Sequence, residues 1–347
     1  MTTIYLIRHA AAEGNLYRVA HGQYNSTITH RGYRQLAFLR KRFEGVHLDA
    51  IYGSDLLRAH TTASALYVPR NMEFRPMPLL REVCMGEWEQ LSWGEVARRD
   101  AGIYHNFNHR PDLFELEGAE KFEDVRDRML AAVRLMAAEN PDGVIAATSH
   151  GAALRVLLGT LEGLTLAQIG DTPYGDNTAV SLLEVEGDEI RLIYRDDASH
   201  IPAAAKIHRH GASAAADGKY TVVATQPGLW YRAVRESAER IELAAMLGEE
   251  NAGRVAMEVR DGRFRIEEYE MYPALRGRSY SVQLLGQAVK YARKYGHDEI
   301  VVSCPRDIVP YFEKYGFAAG EDRGEEVELV LDISRVIRPI PEESSPE

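Results

Sequence analysis

Short apolar runs that end at charged residues alternate with amphipathic segments through roughly the first 200 residues of the chain. Residues 3–7 are β-branched, aromatic and aliphatic, which predicts a buried strand, and this run ends at Arg8 and His9. Residues 143–148 form a second such run, which ends at Ser149 and His150. Both histidines are therefore predicted at the carboxyl ends of strands, where open α/β sheets bind their ligands.

Helical periodicity separates these strands. Behind Thr29, a good helix N-cap, Tyr33, Leu36, Leu39 and Phe43 recur at helical spacing. The same pattern predicts helices over residues 56–67, 122–138 and 152–161, and strands near 50–52, 179–185 and 189–194. Strands that alternate with helices are typical of an α/β domain with a mostly parallel sheet.

The pattern changes near residue 201. Residues 201–218 surround histidines with alanine and serine and show no apolar periodicity, which is typical of a linker. After it the pattern predicts a strand near 220–224, a helix near 229–247, two strands joined by Asp261 and Gly262, and a helix after 276–281. The predicted divisions are a first domain over 1–200, a linker over 201–218, an α+β second domain over 219–336 and a disordered tail over 337–347.

Composition narrows the function. The formal net charge of -11 argues against binding to nucleic acid or to an anionic membrane, so an anionic substrate would need a local cluster of positive groups. Cys84 and Cys304 are too few for a disulfide framework, and no apolar run has the length of a membrane span. We therefore expect a cytoplasmic protein, whose oligomeric state the pattern does not indicate.

A series of motifs, spaced along the first 180 residues, contains arginines and histidines that could form such a positive cluster. Arg8-His9-Ala10 opens the series, and the other motifs follow in order: Asn15, Gly22-Gln23, Ser54-Asp55-Leu56 with Arg58, Glu82 with Gly86 and Trp88, Gly118 to Glu120, Ser149-His150-Gly151, and Asn177. This series resembles the histidine phosphatase superfamily, the phosphoglycerate mutase-like enzymes, over residues 1–200. The resemblance implies a three-layer α/β domain and a metal-independent phosphatase that works through a phosphohistidine.

Phosphoryl transfer requires positive charge around the equatorial oxygens, an in-line nucleophile and an acid for the leaving oxygen. We expect His9 to attack phosphorus and Glu82 to protonate the leaving oxygen. Five side chains would hold the phosphate or orient the substrate: Arg8, Asn15, Gln23, Arg58 and His150. The substrate would be a small phosphorylated metabolite, and the reaction would need no metal ion or other cofactor.

Two alternatives share parts of this site. A phosphoglycerate mutase would use the same phosphohistidine but pass the phosphoryl group to a second hydroxyl instead of water. The stretch between Glu82 and His150 lacks the longer basic insertion with which mutases of the family enclose a bisphosphate, and this favours hydrolysis. Metal catalysis is less favoured, because the first-domain histidines lack the carboxylate spacing of a metal cage and His208 and His210 lie in the predicted linker.

Residues 219–336 resemble the GNAT acetyltransferase fold, through the loop before the last long helix and the segment from Tyr311 to Phe317. In that family the backbone amides of the loop and the helix N-terminus hold the pyrophosphate of acetyl-CoA. The corresponding residues are Arg276, Gly277, Arg278, Ser279, Tyr280 and Ser281.

Three positions depart from the GNAT pattern. Ser279 and Ser281 occupy glycine positions, and serine hinders the close backbone approach that glycine allows. Phe312 stands where many relatives carry a tyrosine that protonates the departing thiolate. Glu268 and Glu270 could act as bases or be exposed strand residues. Three hypotheses follow for this half: an N-acetyltransferase that uses acetyl-CoA, an acyl-CoA sensor, or a structural module.

Overall fold

A computed structural model describes residues 1–202, 212–214, 220–222, 228–276, 280–322 and 324–342. Residues 1–202, the N-terminal unit, contain a six-stranded sheet. Its strands are β1 (Thr2–Arg8), β2 (Ala50–Gly53), β3 (Phe74–Pro76), β4 (Val144–Ser149), β5 (Val180–Glu186) and β6 (Glu189–Asp197). Its helices are α1 (Glu13–Tyr17), α2 (His30–Arg42), α3 (Leu57–Arg70), α4 (Trp93–Arg99), α5 (Ala101–His109), α6 (Phe122–Glu139), α7 (Gly151–Leu161) and α8 (Leu166–Ile169).

The strand order in this sheet is β3-β2-β4-β1-β5-β6, and the first four strands are parallel. Strands β5 and β6 are antiparallel additions at one edge. Because successive side chains of a strand point to opposite faces, Ile4 and Leu6 of β1 join the core that includes α6 and α7, whereas Ile7 joins the core with α2 and α3. The predicted three-layer α/β architecture is confirmed.

The start of α2 is fixed to the chain segment that follows β1. Thr29 is the N-cap: its hydroxyl accepts a hydrogen bond from the Gly32 amide at 3.1 Å and donates one to the Ala11 carbonyl at 3.0 Å. Leu36 and Leu39 lie on the buried face of the helix, as predicted.

The described residues between 228 and 333, the C-terminal unit, form a second sheet. Its strands are β9 (Trp230–Glu236), β10 (Arg240–Leu247), β11 (Glu250–Arg260), β12 (Arg263–Met271), β13 (Glu299–Pro305), β14 (Ala318–Asp322) and β15 (Glu326–Asp332). Two helices accompany them, α9 (Ser281–Lys294) and α10 (Val309–Glu313). The order is β14-β15-β13-β12-β11-β10-β9, and β12 and β13 are paired in parallel over only two residue pairs. Two further short strands, β7 (Ala212–Ala214) and β8 (Tyr220–Val222), pair with each other, and β7 falls inside the predicted linker.

The helix predicted near residues 229–247 is wrong, because this segment forms β9 and β10. Its alanine and leucine content favours a helix locally, but β10 is hydrogen-bonded on both sides, to β9 and to β11. Ile241, Leu243 and Ala245 enter the core from one face of β10, which is the two-residue period of a strand. The hairpin predicted at Asp261 and Gly262 is confirmed, since it joins β11 to β12.

The predicted tail is described only in part. Residues 337–342 belong to the predicted tail and are described; the Arg338 amide donates a hydrogen bond to the Tyr33 hydroxyl at 3.0 Å. Residues 343–347 lie outside the described residues. The domain boundaries stay predictions. In the described ranges no helix combines the length and apolarity needed to cross a bilayer.

Replacing Thr29 with alanine removes both hydrogen bonds of the helix cap. We expect Thr29→Ala to lower the free energy of unfolding by about 1–2 kcal/mol, measured by urea titration. Thr29→Ser keeps the hydroxyl and is the matched control, so its value should stay close to wild type. Equal losses in the two variants would show that the cap does not stabilise α2.

Candidate active site

The register of β1 and β4 brings the two predicted histidines together. Arg8 pairs with Ser149 across the parallel strands, and the His9 amide donates a hydrogen bond to the Ser149 carbonyl at 2.9 Å. The ring centroids of His9 and His150 are 5.2 Å apart. Both side chains are buried, at 1% and 0% exposure, so they face each other in a site largely removed from bulk water.

Hydrogen bonds fix the orientation and the tautomer of His9. Its Nδ1 lies 2.7 Å from the Ala10 carbonyl oxygen. Because a carbonyl can only accept, Nδ1 carries the proton and Nε2 keeps its lone pair. The Asn177 side-chain amide donates to the His9 carbonyl at 2.8 Å and so holds the backbone of the same residue. Nε2 is therefore the ring nitrogen of His9 that keeps an available lone pair.

Two buried arginines face the histidines. Arg58, which is 0% exposed, donates to the carbonyls of Tyr24 and Gly22 at 2.9 and 2.6 Å. Arg8 donates to the Gly175 carbonyl and lies against Gly151, where an added Cβ would be 3.2 Å from the guanidinium. Glycine at position 151 therefore lets the arginine pass directly beside the start of α7.

Unpartnered polar atoms concentrate at this point. Across the described residues, six buried side-chain nitrogen or oxygen atoms have no hydrogen-bond partner in the protein. Four of the six belong to this site: Arg8 Nε, Arg58 Nε, and both ring nitrogens of His150. Buried polar atoms without partners are costly, and a tetrahedral oxyanion would accept hydrogen bonds from the two guanidinium Nε–H groups and from the one ring N–H of a neutral His150.

The electrostatics keep both histidines neutral. Burial, and then the charges of Arg58 and Arg8, hold the pKa of His9 well below its ordinary value of 6.5. Burial, followed by Arg58 and His9, does the same to the pKa of His150. Burial lowers the pKa of Arg58 to about 10, which leaves this arginine positively charged at neutral pH. The site therefore combines neutral imidazoles with fixed positive charge.

Glu82 is buried at the N-terminus of α7, where its carboxylate caps the helix. One carboxylate oxygen accepts from the amides of Val83 and Ala153 at 3.1 and 2.9 Å, and the other accepts from Ala152 at 3.1 Å. These three bonds fix the orientation of the carboxyl group beside His150, the N-cap residue of α7. The predicted acid thus lies in the site, next to the first turn of a helix.

The two predicted orienting residues are also connected to the site. The Asn15 side-chain oxygen accepts from the Ala12 amide at 3.1 Å and from the Asn177 side chain at 3.3 Å. The Gln23 side-chain amide donates to the Glu82 carbonyl at 3.1 Å. Asn15 is thus connected to His9 through Asn177, and Gln23 contacts Glu82 directly. The roles of Asn15 and Gln23 in binding substrate stay predictions.

Two residues of this site, His21 and Glu89, are not predicted from the sequence. His21 lies perpendicular to His9 with ring centroids 5.8 Å apart, and its Nδ1 is 2.9 Å from the Ser26 hydroxyl. Its position immediately before Gly22-Gln23 was the available signal. Glu89 accepts from the amides of Gln23 and Tyr24 at 2.7 and 2.9 Å, and so shapes the loop that receives Arg58.

The motif from Gly118 to Glu120 lies behind Glu82. The Glu120 carboxylate binds Arg128 through two hydrogen bonds of 2.6 and 2.9 Å. Arg128 also donates to the carbonyls of Arg81 and Glu82 at 2.7 and 3.2 Å. This pair fixes the backbone that carries the predicted acid.

The loop proposed for acetyl-CoA is described only in part. Gly277, Arg278 and Ser279 lie outside the described residues. The Arg276 side chain donates to the Met271 carbonyl at 2.9 Å, and Tyr280 is buried.

The neighbouring side chains of the C-terminal unit bind each other. The hydroxyl of Tyr269 donates to the Ser281 carbonyl and lies 2.7 Å from that of Tyr311, and Phe312 is buried. Glu268 and Glu270 both form ion pairs with Arg254, at 3.1 and 3.0 Å. In the described part of the chain, no three His, Cys, Asp or Glu side chains cluster as metal ligands, and His208 and His210 lie outside it.

Comparisons with known proteins concern the N-terminal unit. The family described as the histidine phosphatase superfamily (branch 1) matches residues 4–197, more than half of the chain. A metal-independent phosphoserine phosphatase of Arabidopsis thaliana is 25% identical over 215 residues, which are 60% of this chain and 87% of the relative. A Proteus mirabilis protein, named as a probable phosphoglycerate mutase GpmB, is 32% identical over 169 residues, 47% of this chain and 76% of the relative.

A solved structure shows a similar fold. Bacillus stearothermophilus YhfR superposes with a TM-score of 0.56 at 30% identity, and the match covers 58% of this chain and 99% of that one. The histidine phosphatase match, unlike the resemblance of residues 219–336 to GNAT enzymes, therefore rests on family and structural similarity together.

The lowered pKa values predict how the site responds to acid. Because burial and the arginines favour neutral imidazole, His9 and His150 should stay unprotonated when the pH falls through about 6.5, where an ordinary histidine titrates. In the unfolded chain both histidines would be protonated below about pH 6.5, whereas in the folded chain they would stay neutral. The free energy of unfolding should therefore decrease as the pH falls below about 6.5. Long-range ¹H–¹⁵N spectra in phosphate-free buffer, assigned with His9→Gln, measure this directly. A midpoint at or above 6.5 for either ring would contradict it.

Proposed function

The chain belongs to the histidine phosphatase superfamily, and we propose that it hydrolyses a small phosphomonoester through a phosphohistidine formed on His9. One observation carries the proposal: a fixed His9 lies beside His150, with ring centroids 5.2 Å apart, and within reach of the charges of Arg8 and Arg58, and these three neighbours carry four buried polar atoms without a hydrogen-bond partner. A phosphoryl group placed there would receive hydrogen bonds on its equatorial oxygens while Nε2 approaches phosphorus.

The reaction divides into two displacements. In the first, the Nε2 lone pair of His9 forms a bond to phosphorus as the bond from phosphorus to the ester oxygen breaks, and Glu82 gives that oxygen a proton. In the second, water attacks phosphorus, the phosphorus–nitrogen bond breaks, and Glu82 takes back a proton from the water. The products are an alcohol and inorganic phosphate, with His9 and Glu82 restored.

Glu82 must hold a proton when the substrate is bound. The three backbone amides orient its carboxylate, and a phosphate dianion would bring a second negative charge into the same buried space. Two negative charges repel each other strongly where water is excluded, which favours one shared proton. In the proposed reaction this shared proton passes through Glu82 to the leaving oxygen.

The substrate class follows from the relatives' names and the site. One relative is named for phosphoserine and another for phosphoglycerate, so small phosphorylated acids are the first candidates. Three aromatic side chains between Glu82 and His150 lie in the core: Phe107 and Phe114 pack against Trp88, and Phe122 packs against Phe107. The mutase alternative is tested by the product, since a mutase supplied with 2,3-bisphosphoglycerate would convert 3-phosphoglycerate to 2-phosphoglycerate without releasing stoichiometric phosphate.

The decisive test is hydrolysis of p-nitrophenyl phosphate, phosphoserine and 3-phosphoglycerate in the presence of a chelator. We expect His9→Ala to lower kcat by at least about 1000-fold, because the covalent route is lost. His47→Ala is the matched control, since the His47 ring is exposed and pairs with Asp49 away from the site. Brief incubation with ³²P-labelled substrate should label wild type with an acid-labile, alkali-stable phosphoramidate.

Either of two results would refute this proposal. Wild type could fail to release phosphate from every substrate, or His9→Ala could retain full activity. A chelator-sensitive activity would instead favour metal catalysis.

The acetyltransferase hypothesis for the C-terminal unit stays a prediction. The parallel pair β12 and β13 and the helix that follows Tyr280 support a GNAT-like arrangement. The hydrogen-bonded tyrosines Tyr269 and Tyr311 and the buried Phe312 favour a structural module.

Thermal unfolding with acetyl-CoA separates these hypotheses. A ligand present at about 100 times its Kd stabilises the folded state by about 2.7 kcal/mol, which raises Tm by several degrees. We expect no rise in Tm, because the side chains around Ser281 already bind each other. A rise would favour an enzyme or a sensor, and turnover would then distinguish the two.

A further inference from the structure

Helix α1 is shared by the two units. It begins four residues after His9, and its first and last residues, Glu13 and Tyr17, lie one turn apart on one face. Both contact α9 of the C-terminal unit, at Arg293 and Gly286, which are seven residues apart and so also share a face. The contact is therefore made by one face of each helix.

The polar contact is a buried, bidentate ion pair between Arg293 and Glu13. Arg293 Nη1 and Nη2 donate to the two carboxylate oxygens of Glu13 at 2.7 and 2.8 Å. Each side chain is only 10% exposed. A bidentate arginine–carboxylate pair fixes both distance and direction, which a lysine cannot do.

The apolar contact places Tyr17 in the core of the C-terminal unit. This side chain is 6% exposed and packs with Leu284, Leu285 and other residues of that core. Gly286 permits the approach, because an added Cβ would lie 2.5 Å from Tyr17 Cβ. The C-terminal unit thus holds α1 at both ends.

Each of the first three residues of α1 then acts on the site. Glu13 also accepts from the Thr27 amide at 3.0 Å, which ties the loop containing His21 to α1. Gly14 packs against the His21 ring: a Cβ added at position 14 would lie 2.2 Å from His21 Cγ. Asn15 binds Asn177, whose amide holds the His9 carbonyl.

Leu16, the residue before Tyr17, also packs against the core of the C-terminal unit. A small cavity lies beside α1, lined in part by His21, Val289 and Lys290. The ion pair at Glu13 and the packing of Tyr17 are the contacts by which the C-terminal unit holds the first and last residues of α1.

We propose that the C-terminal unit is a positioning element of the phosphatase site, in which Arg293, through Glu13, holds α1 so that Asn15 and His21 face the phosphate bound at His9. The proposal rests on the phosphatase function proposed above. It assigns the C-terminal unit a role in the N-terminal reaction that requires no ligand of its own.

The test uses the full chain with Arg293→Met, which keeps much of the side-chain volume and removes the guanidinium group. We expect kcat/KM for p-nitrophenyl phosphate to fall about 10- to 100-fold, and the Ki of orthovanadate to rise in parallel, because displacement of about 1 Å disrupts a preorganised site. Arg293→Lys should recover part of the loss. Arg306→Met is the matched control: it removes an arginine of the same unit whose pair with Asp322 is exposed.

All rates are taken well below Tm, with the folded fraction verified by circular dichroism, so that lost stability is not counted as lost activity. If Arg293→Met lowers Tm but leaves kcat/KM and the vanadate Ki equal to those of Arg306→Met, the positioning role is wrong while the phosphatase function stands. If wild type neither hydrolyses p-nitrophenyl phosphate nor binds vanadate, both proposals fail.

A second variant reaches α1 without removing a charge. Gly286→Ala inserts a methyl group against Tyr17 and should displace α1, again lowering kcat/KM and vanadate affinity about tenfold or more. Gly102→Ala is its control, because an added Cβ in that helix meets no atom within 4 Å. Equal kinetics for the two alanine variants would overturn the proposal even if Arg293→Met failed to fold.

Discussion

The structure of the site depends on one interaction, the parallel pairing of β1 with β4. Their register places Arg8 beside Ser149, the last residues of the two strands. The residues that follow are His9 and His150, whose rings lie next to each other. A shift of the register by one residue would turn one of these side chains to the opposite face of the sheet. Residues far apart in sequence, His9 and His150, therefore gain fixed geometry from backbone hydrogen bonds, without direct side-chain bonding between them.

That geometry places positive charge and neutral imidazole in a buried space, which is unfavourable without compensation. The guanidinium groups of Arg8 and Arg58 use part of their hydrogen-bonding capacity on the carbonyls of Gly175, Gly22 and Tyr24. Glu82 supplies the nearest negative charge, held by the first turn of α7. The donors that stay unpartnered on Arg8, Arg58 and His150 make the site complementary to a phosphoryl group although the whole chain is acidic.

Sequence patterns predicted five of the six strands of the N-terminal unit and its four longest helices, because these elements have strong, distinct periods and the motifs fall at their ends. The strands that end at Arg8 and Ser149 and the helix behind Thr29 were all predicted. Residues 229–247 were not, because alanine and leucine favour a helix locally whereas pairing with two neighbouring strands decides the outcome. His21 was missed for a related reason: a single histidine in a loop carries no periodic signal, and only the packing of its ring on Gly14 places it near His9. The contact between α1 and α9 joins residues 280 positions apart and has no local signature.

This contact also means that the two units are not independent modules. A chain cut between them would leave Tyr17 exposed in the N-terminal part, and the core of the C-terminal part would lose a packed aromatic ring. It would also leave Glu13 without its guanidinium partner. Low activity in an isolated N-terminal half would therefore not distinguish a lost ligand site from a displaced α1. Single substitutions at the α1–α9 contact separate these explanations, because they leave both sheets and all of the proposed catalytic side chains in place.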